Sequence, residues 1–276
     1  MSKGYVIVAC GDDYVKQAYL CSLSIKATQN TVRNVSLITD RPIDKKYAAI
    51  FDNVIVKDAT DNGRFKTKLR AMVYDLSPYD ETIVLDSDII FTSDVSYYWD
   101  LLTDKDLFFT TTVYTYRGST TDNRYYREIF EKFQLPNTYV AVHYFKKSEL
   151  AGIFYSLVKF ITSNEKRYYG DILETKKQID PSFDFTCALA IKMLDIETLV
   201  TRKHSCYPTF THLKGQNQNW QSGVVNWMSK VPYYIDDDLN VFIGNFKQTR
   251  ILHYTENNFV TNEVIQKYED IVCTTK

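Results

Sequence analysis

The chain has 276 residues, with 33 Lys and Arg against 34 Asp and Glu, and this near balance gives no general pull toward nucleic acid or an anionic membrane. Hydrophobic residues make up 45% of it, enough for a sizeable core, yet no window is long and apolar enough to span a bilayer. The 5 cysteines are an odd number and form no C-x-x-C pair, which suggests neither a disulfide framework nor a zinc knuckle and suits reduced thiols in a cytoplasm.

The opening Met-Ser-Lys-Gly runs at once into a strand-like stretch and reads as no signal peptide. Tyr5–Ala9 is a short apolar run rich in β-branched residues that ends in a turn cluster, Cys10-Gly11-Asp12-Asp13. Tyr14–Thr28 has apolar residues at helical spacing. Val35–Thr39 reads as a second strand, Tyr47–Phe51 as a helical turn or two, and Val54–Val56 as a third strand. Lys66–Leu76 predicts a helix that stops before Ser77-Pro78, because proline cannot continue it. Thr82–Leu85 is a fourth strand.

Strands alternating with helices imply a mostly parallel sheet flanked by helices, with ligands at the carboxyl ends of its strands. Cys10–Asp13, Thr39-Asp40 and Asp86–Asp88 are therefore expected to face one crevice. The second half is less regular. It offers a strand at Val140–Phe145, helices at Glu149–Ile161 and Asp184–Leu194, a polar loop over Arg202–Ser222, and a late strand at Arg250–Tyr254. Nothing resembling a linker or repeat interrupts the chain, so residues 1–276 are expected to form one domain.

The central chemical signal is Leu85-Asp86-Ser87-Asp88-Ile89. Two acids two apart after an apolar strand point the same way if the strand continues. Together they can hold a hard divalent cation that bridges a diphosphate. A chain this acidic carries such triplets by chance, as at Asp104-Lys105-Asp106 and Asp236-Asp237-Asp238. The Asp86 copy differs because apolar residues flank it tightly, and acids in such a setting need a partner. Asp184, just before an apolar helix, reads equally as a helix N-cap or as a carboxylate beside a substrate.

Four stretches resemble the family 8 glycosyltransferases, the group that includes glycogenin. They are Val6–Tyr14, Phe65-Lys66-Thr67-Lys68-Leu69, Leu85-Asp86-Ser87-Asp88 and Ile251-Leu252-His253-Tyr254. The resemblance implies a GT-A fold, with residues 1–115 as the nucleotide-sugar-binding half and 116–276 as the acceptor-side half. It implies Mn²⁺, or Mg²⁺, on Asp86, Asp88 and His253, and a neutral imidazole favours Mn²⁺. By the same resemblance, Ala9, Cys10, Asp12, Tyr14, Lys68, Asp86, Ser87 and Asn137 would contact the donor, a UDP-sugar first of all. Asp184, Asp88 and Lys68 would serve catalysis, and transfer would retain the anomeric configuration.

Two departures stand out. The family's G-x-x-K-P-W is absent after His253, which leaves Lys247 or Arg250 as substitutes at the diphosphate. Its N-S-G and D-Q segments are matched at the first residue or so, by Asn137 and Asp184.

For the acceptor, the ending Tyr268–Lys276 is unlike the basic aromatic tail that membrane-acting relatives carry. Arg124-Tyr125-Tyr126-Arg127 and Lys166-Arg167-Tyr168-Tyr169 mix cations with rings, as nucleic-acid contact would use, or as ordinary solvated segments do. The chain also resembles small phage glycosyltransferases, so the acceptor expected first is a hydroxymethylated pyrimidine in DNA. A surface glycan or protein hydroxyl is the second. A sugar nucleotidyltransferase would need a glycine-rich phosphate loop where only Gly11 is available. A non-catalytic binding protein of the same fold would lack metal dependence.

Overall fold

The computed structural model describes residues 1–58, 66–121, 127–172, 182–202, 206–213, 232–254 and 259–274. The first half runs β1 (Lys3–Val8), α1 (Asp12–Thr28), β2 (Val35–Thr39), α2 (Lys45–Ala48), β3 (Asn53–Val56), α3 (Thr67–Ala71), α4 (Val73–Leu76), β4 (Glu81–Leu85), β5 (Ile89–Ile90), α5 (Tyr98–Leu102) and β6 (Leu107–Thr110). The second half runs α6 (Glu128–Lys132), β7 (Tyr139–Lys146), α7 (Glu149–Ser163), α8 (Phe183–Leu194), α9 (Glu197–Val200), β8 (Phe210–His212), β9 (Tyr233–Ile235), β10 (Val241–Ile243), β11 (Phe246–Lys247), β12 (Ile251–His253) and α10 (Asn262–Thr274).

Six strands form the main sheet in the order β3-β2-β1-β4-β7-β6. The pairs β1–β2, β2–β3 and β1–β4 are parallel, whereas β7 lies antiparallel to both β4 and β6. The chain steps outward from β1 to β3 and then returns to the other side of β1 for β4. The strand order reverses there, and such a switch point opens a crevice at the carboxyl ends. Ile7 pairs with Leu85, so Cys10 and Asp86 both fall just past those ends.

Both faces of this sheet are buried, which explains near-continuous apolar strands. Tyr5, Ile7, Ile83 and Leu85 join Ala18, Cys21 and Ile25 of α1 and Tyr98, Trp99 and Leu102 of α5 in one core. Val6, Val8 and Val84 point the other way, against Leu69 and Ala71 of α3, Phe154 and Val158 of α7 and Cys187 and Ile191 of α8. Each fully buried aliphatic or Phe side chain contributes about 1.5–3 kcal/mol relative to exposure. Gly4 on β1 is needed for space: a Cβ there would stand 2.4 Å from the Tyr79 ring.

A smaller sheet, β5-β12-β8, packs Ile90 and Leu252 against Leu20 and Leu23 of α1 and Val264, Ile265 and Tyr268 of α10. The strands β9, β10 and β11 form a third, antiparallel sheet.

Two sequence expectations change. The helix expected over Lys66–Leu76 is divided into α3 and α4 at Met72, a right-handed turn residue with φ of −91° and ψ of 0°. The loop expected over Arg202–Ser222 contains β8, whose burial on β12 supplies what its polar neighbours conceal; residues 203–205 and 214–222 of it lie outside the described residues. No helix among the described residues is long and apolar enough to cross a membrane.

Candidate active site

Residues 86–88 are not a continuation of β4. The chain bends there before β5 begins. The bend, rather than strand alternation, sends Asp86 and Asp88 to one side, while Ser87 turns inward and is 4% exposed. The late histidine arrives through pairing of short strands: β12 runs antiparallel to β5 with His253 opposite Ile89. His253 Nε2 lies 3.1 Å from Asp88 Oδ1 and 3.9 Å from Asp86 Oδ2. The ligand atoms of these three residues all fall within 4.8 Å of one another.

A cation that the sequence reading missed completes the cluster. Arg70 Nη1 donates to Asp86 Oδ1 at 2.5 Å, whereas Lys68 is exposed on α3. Burial works to raise the Asp86 carboxyl, but the Arg70 and His253 charges and the Arg70 hydrogen bond outweigh it and hold the group below its ordinary range. The available signal was helical spacing, since positions 68 and 70 lie about 200° apart around a helix.

A cavity of about 350 Å³ opens beside this cluster. Asp86, Arg70 and His253 line it together with Arg127, Tyr139, Val140, Ala141 and Asp184. Asp184 is not the N-cap of α8. Ser182 fills that place and accepts from Phe185 N, which frees the Asp184 carboxylate for the cavity. Its Oδ2 accepts from Arg127 Nη2 at 2.7 Å and its Oδ1 from Val140 N at 2.9 Å. The Arg127 guanidinium also donates to Thr138 O, and its centre lies 3.8 Å from the Tyr139 ring centroid. Arg127 thus ties the approach to α6, the start of β7 and the start of α8 together around the cavity.

His212, for which the sequence offered no support, lines the same cavity. The parallel register of β8 and β12 sets it beside His253, with ring centroids 4.8 Å apart and planes 24° apart. His143 lies on β7 with its ring buried between Val140 O and the Tyr155 hydroxyl, and burial pushes it down to about 4. His204 lies outside the described residues.

The other expected residues are more scattered. Ala9 and Cys10 are buried at the end of β1, and burial followed by the nearby Asp40 charge pushes the Cys10 thiol up to about 11. Asp12 and Tyr14 are exposed in the first turn of α1, after Gly11 with its φ of +87°. Asn137 is exposed ahead of β7, and it is Tyr139–Ala141 that reach the cavity. Lys247 is exposed on β11, and the Arg250 guanidinium lies 4.1 Å from the Tyr114 ring centroid; neither lines the cavity. Of the two basic, aromatic clusters, residues 124–126 lie outside the described residues. Arg127 is buried with Asp184, and Tyr169 is buried against Phe185 with ring centroids 4.4 Å apart.

The sheet order, the switch point and the site at its crevice define the fold as that of the GT-A glycosyltransferases. Among solved structures, the chain is similar to the galactosyltransferase LgtC, determined with donor and acceptor sugar analogs. The identity is 11% over 98% of this chain and 95% of that one, with a TM-score of 0.55. It is also similar to mouse xyloside xylosyltransferase 1, at 10% identity over 93% of this chain and 99% of that one, TM-score 0.54. The glycosyltransferase GlyE of Streptococcus pneumoniae matches at 12% identity over 99% of this chain, TM-score 0.52, and this chain spans 63% of its length. At such identities the likeness establishes the fold. No protein-family model matches the sequence, and a search of curated proteins found no match.

Proposed function

We propose that the chain is a metal-dependent glycosyltransferase of the family 8 kind, moving a sugar from a nucleotide-sugar, a UDP-sugar first of all, to an acceptor hydroxyl. The observation that carries this reading is the meeting of Asp86, Asp88 and His253 at the crevice of a GT-A sheet. Two carboxylates and an imidazole offer hard oxygens and one nitrogen, a donor set that fits Mn²⁺ better than Mg²⁺. Such an ion, when bound, would offset the charge that builds on the departing diphosphate.

The chain's own residues have distinct tasks in this reading. Arg70 occupies Asp86 Oδ1, which leaves Oδ2 on the side of His253. The same guanidinium puts a fixed positive charge on the cavity wall, where developing negative charge is stabilised without reorganisation. Asp184 is held at both oxygens and still faces the cavity. That arrangement suits a fixed acceptor of sugar hydroxyl protons, and it favours attack by the acceptor hydroxyl from the leaving-group face over a covalent Asp184 intermediate. Retention, inferred from the family resemblance, is consistent with either route.

For the acceptor, Arg127 and Tyr169 are buried inside the protein, and only Lys166 and Arg167 of the described cluster residues are exposed, so with the near-balanced charge of the chain little favours DNA. A hydroxyl on a glycan or a protein is the better-supported acceptor, and hydroxymethylated DNA becomes one arm of the test. The test incubates the protein with UDP-, GDP- and CMP-sugars and Mn²⁺, and measures free nucleotide with and without hydroxymethylcytosine DNA. Mn²⁺-dependent release unaffected by DNA is the expected result. Release that needs the modified DNA would move the acceptor back to the nucleic acid. No release from any donor would overturn the glycosyltransferase reading.

A further inference from the structure

Helix α1 carries polar side chains on a buried face, at Gln17, Cys21 and Ser24. This spacing of i, i+4 and i+7 puts them in one row. The row runs along the chain that leaves the metal turn. Ser87 Oγ donates to Gln17 Oε1 at 3.0 Å. Phe91 N donates to Ser24 Oγ, also at 3.0 Å. Just past the helix, the fully buried Gln29 accepts from Val95 N and donates to Ser93 O, both at 3.0 Å. Cys21 completes the row beside the acids: its thiol is pushed well up, by burial first and then by the charges of Asp88 and Asp86. Residues 87–95 are thus mounted on α1 by successive buried polar contacts, of which the Gln17–Ser87 contact lies between the two acids.

We propose that Gln17 is a positioning residue of the metal centre, fixing the bend between Asp86 and Asp88 through the Ser87 hydroxyl. This rests on the metal reading of the site. Gln17 and Ser87 are 5% and 4% exposed, so water cannot readily replace either partner. The other contacts from α1 reach main-chain atoms further on and hold the segment in register. The Gln17–Ser87 bond is the side-chain contact at the position from which both carboxylates depart, and it acts beside the main-chain bond from Asp86 N to Ala141 O. Partners that orient ligands in this indirect way typically change metal affinity about 10–100-fold when removed.

The experiment titrates Mn²⁺ into the full chain by electron paramagnetic resonance, reading free ion, alongside thermal unfolding. Wild type is compared with Gln17→Leu, Ser87→Ala and the double variant. The expected result is Mn²⁺ binding in the wild type and an affinity about 10–100-fold weaker in each single variant. The double variant should be no weaker than the worse single, because the two residues act through one bond. Ser87→Ala removes a single oxygen, so it carries the test if Gln17→Leu does not fold. Wild-type affinity in a folded single variant would overturn the positioning role and leave the metal site standing. A wild-type chain that takes up no Mn²⁺ would overturn the metal reading and this one with it.

Discussion

His253 Nε2 and Asp88 Oδ1 stand 3.1 Å apart although most of the chain lies between them, and the antiparallel pairing of β12 with β5 is what joins them. A short strand pair thereby closes the cluster that a bend opened at Asp86. Replacing Asp88 by Asn keeps its volume and removes one anionic ligand. Asp88→Asn is expected to lower Mn²⁺ affinity at least about tenfold and to abolish detectable turnover, with a circular dichroism spectrum unchanged from wild type. Asp88→Ala and Asp86→Ala should likewise lose turnover, and full activity in either would contradict the metal assignment.

Arg70 is the least replaceable cation of the cluster. Asp86 keeps its charge against burial chiefly through this guanidinium. Arg70→Met leaves a partly buried carboxylate short of its partner, and about 2 kcal/mol of stability should be lost in urea unfolding at neutral pH. Turnover should fall more steeply than stability. Arg70→Lys should recover much of the stability and little of the activity, since an ammonium cannot reproduce the planar fork.

Arg127 and Asp184 can be tested as a pair. Arg127 is 5% exposed and bridges Asp184, Thr138 and the Tyr139 ring. Arg127→Ala is expected to cost about 3 kcal/mol, because it leaves Asp184 without its counter-charge and opens the cavity wall. Asp184→Asn should cost less, since Val140 N keeps an acceptor. A double-mutant cycle measured by chemical denaturation should return a coupling of about 1 kcal/mol or more, and additivity would count against the pair.

His143 supplies a pH dependence whose sign is fixed by its burial. Its pKa falls from the ordinary 6.5 to about 4 in the folded protein. Above pH 6.5 both folded and unfolded chains hold it neutral, so it has no effect on stability there. As pH falls from 6.5 toward 4 the unfolded chain takes up a proton that the folded chain does not, and stability drops by about 3 kcal/mol across that window. His143→Gln should show a shallower loss of unfolding free energy between pH 7 and pH 4 than wild type, even if it starts less stable.

The sheet was legible because its strands are short apolar runs buried on both faces, and Val35–Thr39 was bounded to the residue. Asp86, Asp88 and His253 could be named together because apolar flanks made the acids conspicuous and the family resemblance supplied the histidine. Arg70 and Arg127 escaped because a functional arginine looks like any surface arginine until its neighbours from distant elements are placed. His212 escaped because β8 is only three residues long and its pairing with β12 is tertiary. Lys68 and Asn137 were chosen by motif position, and the structure puts both side chains at the surface, while their neighbours Arg70 and Tyr139 face the cavity. The antiparallel entry of β7 into the sheet also has no local signature, since strand direction depends on the path of the connections.

The most direct test of the central claim measures nucleotide release from UDP-sugars as Mn²⁺ is titrated, for wild type and Asp88→Asn in parallel. Release should saturate with Mn²⁺ in the wild type, disappear with a chelator, return on adding the metal back, and be absent in Asp88→Asn at every concentration. Release that persists in the chelator, or that Asp88→Asn supports as well as wild type, would contradict that claim.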